Sequence, residues 1–215
     1  MKTDNLEAIR ERVPFLDRIK GFLAPEEGKA LYRAGYDCGG QGWPCLEIGS
    51  YCGLSTVYLG LGVRDAGGVL FSIDHHSGSE EHQPGEEFHD PELYNGQRGC
   101  MDSFPEFRRT VSRAGLWDTV VPIVARSAIA ARMWATPLSL VLVDGGHSPE
   151  AAWSDYRGFA PHIVPGGLLA IHDVFLDADQ GGQAPRQIRD AALASGLFCS
   201  ESLITSLALL RRIRP

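Results

Sequence analysis

The segment that decides the fold is "LEIGSYCGLST", which runs from Leu46 to Thr56. A short apolar run carries an acidic residue, Glu47, near its end, and two glycines and two hydroxyl residues follow it. A strand, a flexible turn and the polar start of a helix in this order are typical of a ligand-binding unit in an open parallel sheet.

Similar short apolar runs recur along the chain and alternate with helical stretches. The predicted strands are "CLEIG", "VLFSID", "VVPIVA", "LSLVLVD" and "GLLAIHD". Because they are apolar on both faces, they indicate a parallel sheet covered by helices on both sides. The last two runs, "FCSESLI" and "SLALLRRI", are too close together for a crossover and predict an antiparallel pair.

The predicted fold class is therefore α/β, a doubly wound Rossmann-like parallel sheet with an antiparallel C-terminal strand pair. Residues 1–35 form a helical cap at the N-terminus, in which Gly35 lies near the predicted end of the second helix. We expect one domain over residues 1–215.

Composition narrows the classes of partner and location. The 215 residues are 44% hydrophobic, carry a net charge of -7 and contain no cluster of Lys and Arg, which argues against nucleic-acid and membrane-surface partners. No apolar run is long enough for a transmembrane helix, and the N-terminus lacks the apolar centre of a secretion signal. Five scattered cysteines without a CxxC motif predict free thiols in a cytoplasmic protein.

Acidic residues end or nearly end four of the predicted strands: Glu47, Asp74, Asp144 and Asp173. In an open parallel sheet, ligands bind outside the carboxyl ends of the strands. One such acid alone is also explained as a helix N-cap, but four together predict a ligand-binding crevice.

The glycine spacing restricts the ligand. Gly49 and Gly53 form G-x-x-x-G rather than G-x-G-x-x-G, and no Gly-Lys-Ser/Thr follows. A dinucleotide-dependent oxidoreductase and a P-loop enzyme are therefore disfavoured. The remaining ligand is smaller, with an amino-acid end and a ribose end.

Three groups match those two ends. Glu47 is placed to hold an ammonium, the helix start at Ser55 and Thr56 to hold a carboxylate, and Asp74 to hold both ribose hydroxyls. S-adenosylmethionine contains an ammonium, a carboxylate and a ribose.

The same segments resemble a known family. "LEIGSYCGLST" resembles motif I of class I S-adenosylmethionine-dependent methyltransferases, and "VLFSID" resembles their second strand. "LVLVDGGHSPEAAWSDYRGFAPHIVPGGLLAIHDV" is similar to the later strands of the O-methyltransferase branch that includes macrolide-sugar and cephalosporin-type relatives. The resemblance covers about residues 25–175.

The resemblance implies a role for each matching residue. The methionine part of the cofactor would be lined by Glu47, Gly49, Ser50, Tyr51 and Gly53, and its carboxylate by Ser55 and Thr56. Asp74 would bind the ribose, Ser127 would lie beside the adenine, and Asp144 would also line the cofactor. Relatives often carry an acid just before the serine, where this chain has Arg126.

Methyl transfer to oxygen needs an activated hydroxyl, which a general base or a metal provides. Asp144, His172 and Asp173 are the predicted ligands of Mg²⁺, although His172 and Asp173 are also explained as loop-positioning residues. His147, which follows two glycines, is the predicted general base, because an imidazole of pKa about 6.5 accepts protons at neutral pH. The alternative for His147 is a capping or packing role.

Residues 75–100 form the predicted substrate loop, "HHSGSEEHQPGEEFHDPELYNGQRGC". Its many histidines and acids, and its few large apolar groups, favour a sugar-like acceptor. The loop also resembles that of sugar O-methyltransferases of mycobacterial methylmannose polysaccharide synthesis. A phenol or catechol acceptor is the alternative, with Trp134, Trp153 and Met133 as the candidate residues.

The sequence thus predicts an S-adenosylmethionine-dependent, Mg²⁺-assisted O-methyltransferase of a sugar or glycosylated small molecule. An oligosaccharide is included among the acceptors. The oligomeric state is left open, with a homodimer as one alternative.

Overall fold

A seven-stranded sheet forms the centre of the protein. The structure is a computed structural model, and it describes residues 6–79, 82–86, 89–146 and 148–214. The order of the strands across the sheet is β5-β2-β1-β6-β7-β9-β8. The first five of these are mutually parallel, whereas β9 runs antiparallel to both β7 and β8. The predicted parallel sheet with an antiparallel C-terminal pair is confirmed.

The strands are those that the apolar runs predicted. The sheet is built from β1 (Cys45–Ile48), β2 (Leu70–Asp74), β5 (Val120–Val124), β6 (Leu138–Val143), β7 (Ile163–Ile171), β8 (Phe198–Ile204) and β9 (Leu207–Arg212). Every residue of β1 and of β6 is buried. Burial of both faces explains why these segments are mostly apolar and do not alternate between apolar and polar residues.

Helices cover both faces of this sheet. They are α1 (Leu6–Arg12), α2 (Pro25–Gly39), α3 (Leu54–Asp65), α4 (Phe104–Arg113), α5 (Ser127–Ala131), α6 (Pro149–Phe159) and α7 (Ala184–Ala194). One core contains Leu31 of α2, Val57 of α3 and Phe107 of α4. The other core contains Phe159 of α6 and Ile188 of α7. The described helices include none with the length and apolar character needed to span a membrane.

The N-terminal cap differs in detail from the prediction. After α1 and a short 3-10 turn at Leu16–Arg18, α2 continues to Gly39 instead of ending near Gly35. Gly35 is a packing residue, because an added Cβ there would lie 2.5 Å from the carbonyl oxygen of Leu59 on α3. The two helices therefore meet backbone to backbone, which a glycine permits and a larger residue does not.

The predicted substrate loop contains a small ribbon, in which β3 (Tyr94–Asn95) pairs antiparallel with β4 (Cys100–Met101). One of its histidines belongs to the core. His76 is 3% exposed, its Nδ1 lies 2.9 Å from the hydroxyl of Ser103, and its ring packs against Phe104 and Phe107. Residues 80–81 and 87–88 of the loop lie outside the described residues.

Candidate active site

The predicted site residues meet at one edge of the sheet. The strand register pairs Ile48 with both Ile73 and Val143, and it pairs Val143 with Ile171. The residues that follow these positions therefore share the carboxyl edge: Gly49, Asp74, Asp144 and His172.

The turn after β1 is tight and left-handed. Gly49, Tyr51 and Gly53 have positive φ values of 84°, 47° and 94°. The N–H of Gly53 donates to the carbonyl of Ser50 at 2.7 Å, which closes the turn immediately before α3 begins. An added Cβ on Gly49 would lie 1.9 Å from the carbonyl oxygen of Asp144, so the turn lies directly against the end of β6.

Glu47 lies beneath this turn and does not reach its surface. Its side chain accepts hydrogen bonds from the hydroxyls of Ser55 at 2.7 Å, Thr56 at 2.6 Å and Ser72 at 2.9 Å. Burial raises the pKa of Glu47 to about 7, although these hydroxyls oppose the shift.

Three of the predicted cofactor residues are in contact with one another. Glu47 is 0% exposed and holds the first turn of α3 against β1 and β2. The hydroxyls of Ser55 and Thr56 point at Glu47, so their predicted role at a ligand carboxylate rests on the N–H groups of the helix start.

Asp74 holds the glycine turn in place from the end of β2. Its Oδ2 accepts the backbone N–H groups of Ser50 at 2.9 Å and Tyr51 at 2.8 Å. Its Oδ1 accepts the N–H of His76 at 2.7 Å. The carboxylate is partly exposed at the sheet edge, so it is available to a ligand as well as organising the turn.

The three predicted metal ligands are brought together. Nδ1 of His172 lies 3.1 Å from Oδ1 of Asp144 and 3.2 Å from Oδ2 of Asp173. One candidate ligand atom from each residue lies within 4.8 Å of the others. Nε2 of His172 lies 3.1 Å from the carboxylate of Glu27, which is on α2.

The charges around His172 explain its ionisation. Burial by itself lowers the pKa of this imidazole, but the charge and hydrogen bond of Asp144 and the hydrogen bonds of Asp173 and Glu27 raise it far above its usual value. Burial by itself raises the pKa of Glu27, but the hydrogen bond from His172 and two backbone N–H groups lower it well below its usual value. A positive charge is therefore stabilised between these carboxylates.

Ser127 begins α5 and lies beside an acid that the sequence did not single out. Asp155 on α6 is 3% exposed, and its pKa is raised to about 6 by burial, with the hydrogen bond from Ser127 opposing the shift. Its Oδ2 would lie 2.7 Å from an added Cβ on Gly145. Its Oδ1 has no hydrogen-bond partner among the described residues.

An aromatic group lies next to the glycine turn. The ring of Tyr51 is 5.5 Å from that of His82 and 6.0 Å from that of Phe22, whose side chain is largely exposed. Lys20 donates to Asp90 at 2.6 Å and thereby fastens the segment before α2 to the substrate loop. Phe22 was not expected at the site.

The residues proposed for a phenol site lie elsewhere. Trp134 packs edge-on against Phe71 and Phe159 in the layer of α5 and α6, and Trp153 packs against Tyr156. Met133 is 88% exposed. His147, the predicted general base, lies outside the described residues, between Gly146 and α6.

A known protein family matches more than half of the chain. The family described as "Methyltransferase domain" matches residues 46–174, which include β1, the glycine turn and the end of β7.

Solved structures of methyltransferases share the fold. The O-methyltransferase NovP has a TM-score of 0.68 and 16% identity, over 89% of this chain and 81% of that one. An O-methyltransferase from Bacillus cereus in complex with SAH has a TM-score of 0.65 and 16% identity, over 100% and 92%. The O-methyltransferase TomG from Streptomyces achromogenes in complex with SAM has a TM-score of 0.62 and 15% identity, over 100% and 91%.

Proposed function

The chain belongs to the methyltransferase-domain family, and from this premise we propose that it transfers the methyl group of S-adenosylmethionine to a hydroxyl oxygen. The observation that supports this most directly is the contact between the glycine turn and the end of β6. A donor held at Gly49 would lie beside Asp144 and His172, which are suited to activating a hydroxyl. The family match does not support the alternative of a nucleotide-dependent oxidoreductase.

The cofactor would be held mainly by backbone groups. Gly49, Ser50, Tyr51 and Gly53 would line the methionine part. Because the hydroxyls of Ser55 and Thr56 are engaged with Glu47, the N–H groups of the first turn of α3 would hold the carboxylate instead. Asp74 would accept the ribose hydroxyls, Ser127 would lie beside the adenine, and Asp144 would close the site from β6.

The residues at the ends of β6 and β7 fit a divalent cation. Asp144 and Asp173 offer oxygen atoms, and His172 offers Nδ1. A cation bound there would displace the proton from Nδ1 of His172, because only a neutral imidazole binds a metal. Mg²⁺ is the ion that the sequence predicts, and when bound it would lower the pKa of the acceptor hydroxyl.

His147 is proposed as the general base. It would take the proton of the acceptor hydroxyl as the new oxygen–carbon bond forms and the sulfur–carbon bond breaks in line with it. The donor leaves as the neutral thioether, S-adenosylhomocysteine, so no covalent enzyme intermediate is needed. The chain's own contribution is positioning and proton removal.

The acceptor is proposed to be a sugar or a glycosylated small molecule. The loop over residues 75–100 supplies groups that hydrogen-bond hydroxyls, and the exposed ring of Phe22 supplies a flat apolar surface beside Tyr51. The C–H face of a sugar ring packs on such a surface. Phenols also stack on aromatic rings, so both classes belong in the acceptor test.

Calorimetry with S-adenosylhomocysteine and with NAD tests the class of cofactor. We expect saturable binding of S-adenosylhomocysteine and none of NAD. Binding of NAD alone would overturn the proposal.

An acceptor screen with methyl-labelled S-adenosylmethionine tests the reaction. Sugars and phenols of matched size are compared, each with and without EDTA. We expect label on a sugar hydroxyl, loss of turnover in EDTA, and recovery when Mg²⁺ is added. Full turnover in EDTA would remove the metal from the proposal and leave the acids as positioning groups.

A further inference from the structure

A buried carboxylate on the N-terminal cap fixes the orientation of His172. Glu27 is 2% exposed, and its Oε2 faces Nε2 of His172 at 3.1 Å. Its Oε1 accepts the backbone N–H and the hydroxyl of Ser206, both at 2.8 Å, and its Oε2 also accepts the N–H of Ala24 at 2.9 Å. Three hydrogen bonds therefore hold the side chain of Glu27, in addition to its contact with the imidazole.

This contact decides which nitrogen of His172 carries a proton. An ionised carboxylate only accepts hydrogen bonds, so Nε2 of His172 must carry its hydrogen to bond with Glu27. Nδ1 is then the nitrogen that can carry either a proton or a metal ion. It points at Oδ1 of Asp144 and Oδ2 of Asp173, at 3.1 and 3.2 Å.

A bare lone pair on Nδ1 would be repelled by these two oxygens. A proton on Nδ1, or a cation bound by all three groups, relieves this repulsion. An imidazole that donates one N–H to a carboxylate and binds a metal through its other nitrogen is a common arrangement in metalloproteins.

We propose that Glu27 is a positioning residue that presents Nδ1 of His172 as a nitrogen ligand, beside the oxygens of Asp144 and Asp173. The inference rests on the metal-assisted reaction under Proposed function and names the class of ion. Mg²⁺ takes oxygen ligands, whereas imidazole nitrogen is a ligand of first-row transition ions, among which Mn²⁺ also suits the two carboxylates. Mn²⁺ should therefore bind this site more tightly than Mg²⁺.

Calorimetric titration of Mn²⁺ and Mg²⁺ into the S-adenosylhomocysteine complex tests the role of Glu27. Glu27→Gln keeps the shape of the side chain but removes the charge that holds Nε2–H. Loss of such a partner costs about 10–100-fold in metal affinity. We expect Glu27→Gln to weaken Mn²⁺ binding at least about tenfold, to weaken Mg²⁺ binding less, and to leave the affinity for S-adenosylhomocysteine unchanged.

Two control variants separate positioning from general stability. Glu26→Gln makes the same change at the neighbouring, exposed residue of α2. Ser206→Ala removes one hydrogen bond to Glu27 but leaves the contact with His172 in place. Both variants should bind Mn²⁺ as the wild-type protein does. Equal losses in Ser206→Ala and Glu27→Gln would overturn the positioning role.

A spectroscopic measurement on the wild-type protein keeps the inference testable if Glu27→Gln does not fold. Pulsed EPR of the Mn²⁺ complex should show coupling to one directly bound nitrogen, and His172→Asn should abolish it. Absence of that coupling in the wild-type protein would overturn the inference.

The three measurements distinguish failure of the proposed cofactor, of the metal-assisted reaction and of the nitrogen ligand. A wild-type protein that binds S-adenosylhomocysteine but no metal refutes the metal-assisted reaction and this inference together. Metal binding without nitrogen coupling refutes this inference alone. Failure to bind S-adenosylhomocysteine refutes the proposed cofactor.

Discussion

The carbonyl oxygen of Asp144 lies 1.9 Å from the position that a Cβ on residue 49 would occupy. Only glycine fits, and its φ of 84° also lies in the left-handed region that glycine tolerates best. Two requirements therefore meet at Gly49, one of space and one of conformation. The close approach brings the proposed donor site and the proposed metal site into contact.

Replacement of Gly49 should damage the site beyond the cost of the backbone conformation. Gly49→Ala must displace the turn from the end of β6. We expect a loss of stability above the roughly 1–2 kcal/mol of a left-handed alanine, together with at least about a tenfold loss in affinity for S-adenosylhomocysteine, since about 1.4 kcal/mol of lost contact energy corresponds to tenfold. Urea unfolding and calorimetry measure the two effects.

Gly42 provides a matched control for this substitution. It has the same φ of 84°, but an added Cβ there meets no heavy atom within 4 Å. Gly42→Ala should therefore cost only the conformational part and leave the affinity for S-adenosylhomocysteine unchanged. Equal effects of the two substitutions would show that the contact with Asp144 does not matter.

Glu47 should make the stability of the protein depend on pH. Burial raises its folded-state pKa from about 4.5 to about 7, so folding favours the protonated carboxyl. The contribution of the protonated carboxyl to the free energy of unfolding is fully present below the unfolded-state pKa. It is lost as the pH rises from about 4.5 to about 7. The loss amounts to at most about 3.4 kcal/mol.

Glu47→Gln removes this titration and should flatten the dependence. The free energy of unfolding of the variant, relative to the wild-type protein, should rise by about 1–3 kcal/mol between pH 5 and pH 8. Urea unfolding at each pH measures the difference, in which the titrations common to both proteins cancel. A difference that stays constant with pH would mean that Glu47 titrates normally.

Local sequence pattern predicted most of the sheet and its edge. Apart from Ser139, the run "LSLVLVD" is apolar up to its final aspartate, because β6 is buried on both faces. The carboxyl ends of parallel strands share one edge, so the sequence predicts that Asp74, Asp144 and Asp173 lie near one another. Pattern alone did not show that Glu47 is covered, because its exposure depends on three hydroxyls that fold over it.

Contacts between distant parts of the chain were beyond the sequence. In the sequence Glu27 is one of two adjacent acids, and its partners His172 and Ser206 are 145 and 179 residues away. Asp155 likewise has no distinguishing feature in the sequence, because its burial depends on α5 and Gly145, which pack against it in the folded protein. No periodicity in a single sequence reports such pairs.

Asp74 is expected to serve both the turn and the ribose. Asp74→Ala should weaken the binding of S-adenosylhomocysteine by roughly 1.5–3 kcal/mol, the range for hydrogen bonds to a charged group. Part of this loss would come from the N–H groups of Ser50 and Tyr51, which lose their acceptor. Affinity for the whole ligand therefore does not separate the two roles.

A ligand without the ribose hydroxyls separates them. The wild-type protein should bind the 2′,3′-dideoxy analogue of S-adenosylhomocysteine more weakly than the parent compound, and Asp74→Ala should bind the two alike. If the variant still discriminates as strongly as the wild-type protein, the ribose contact belongs to another residue.

His147 is the residue on which the proposed chemistry depends most. A sugar hydroxyl is a poor nucleophile at neutral pH, so a group must take its proton as the methyl group arrives. Asp144 is less available as a base if it binds a cation, and the ring of His76 is buried against Phe104 and Phe107. General-base catalysis typically contributes about 10²–10⁴ in rate.

We therefore expect His147→Ala to lose at least about a hundredfold in kcat, with the affinity for S-adenosylhomocysteine nearly unchanged. Steady-state kinetics and calorimetry measure the two quantities, and His162→Ala, at a histidine before β7, is the control. A His147 variant that keeps most of its kcat would identify His147 as a capping residue, and the base would then be sought among His172 and the histidines of the 75–90 loop.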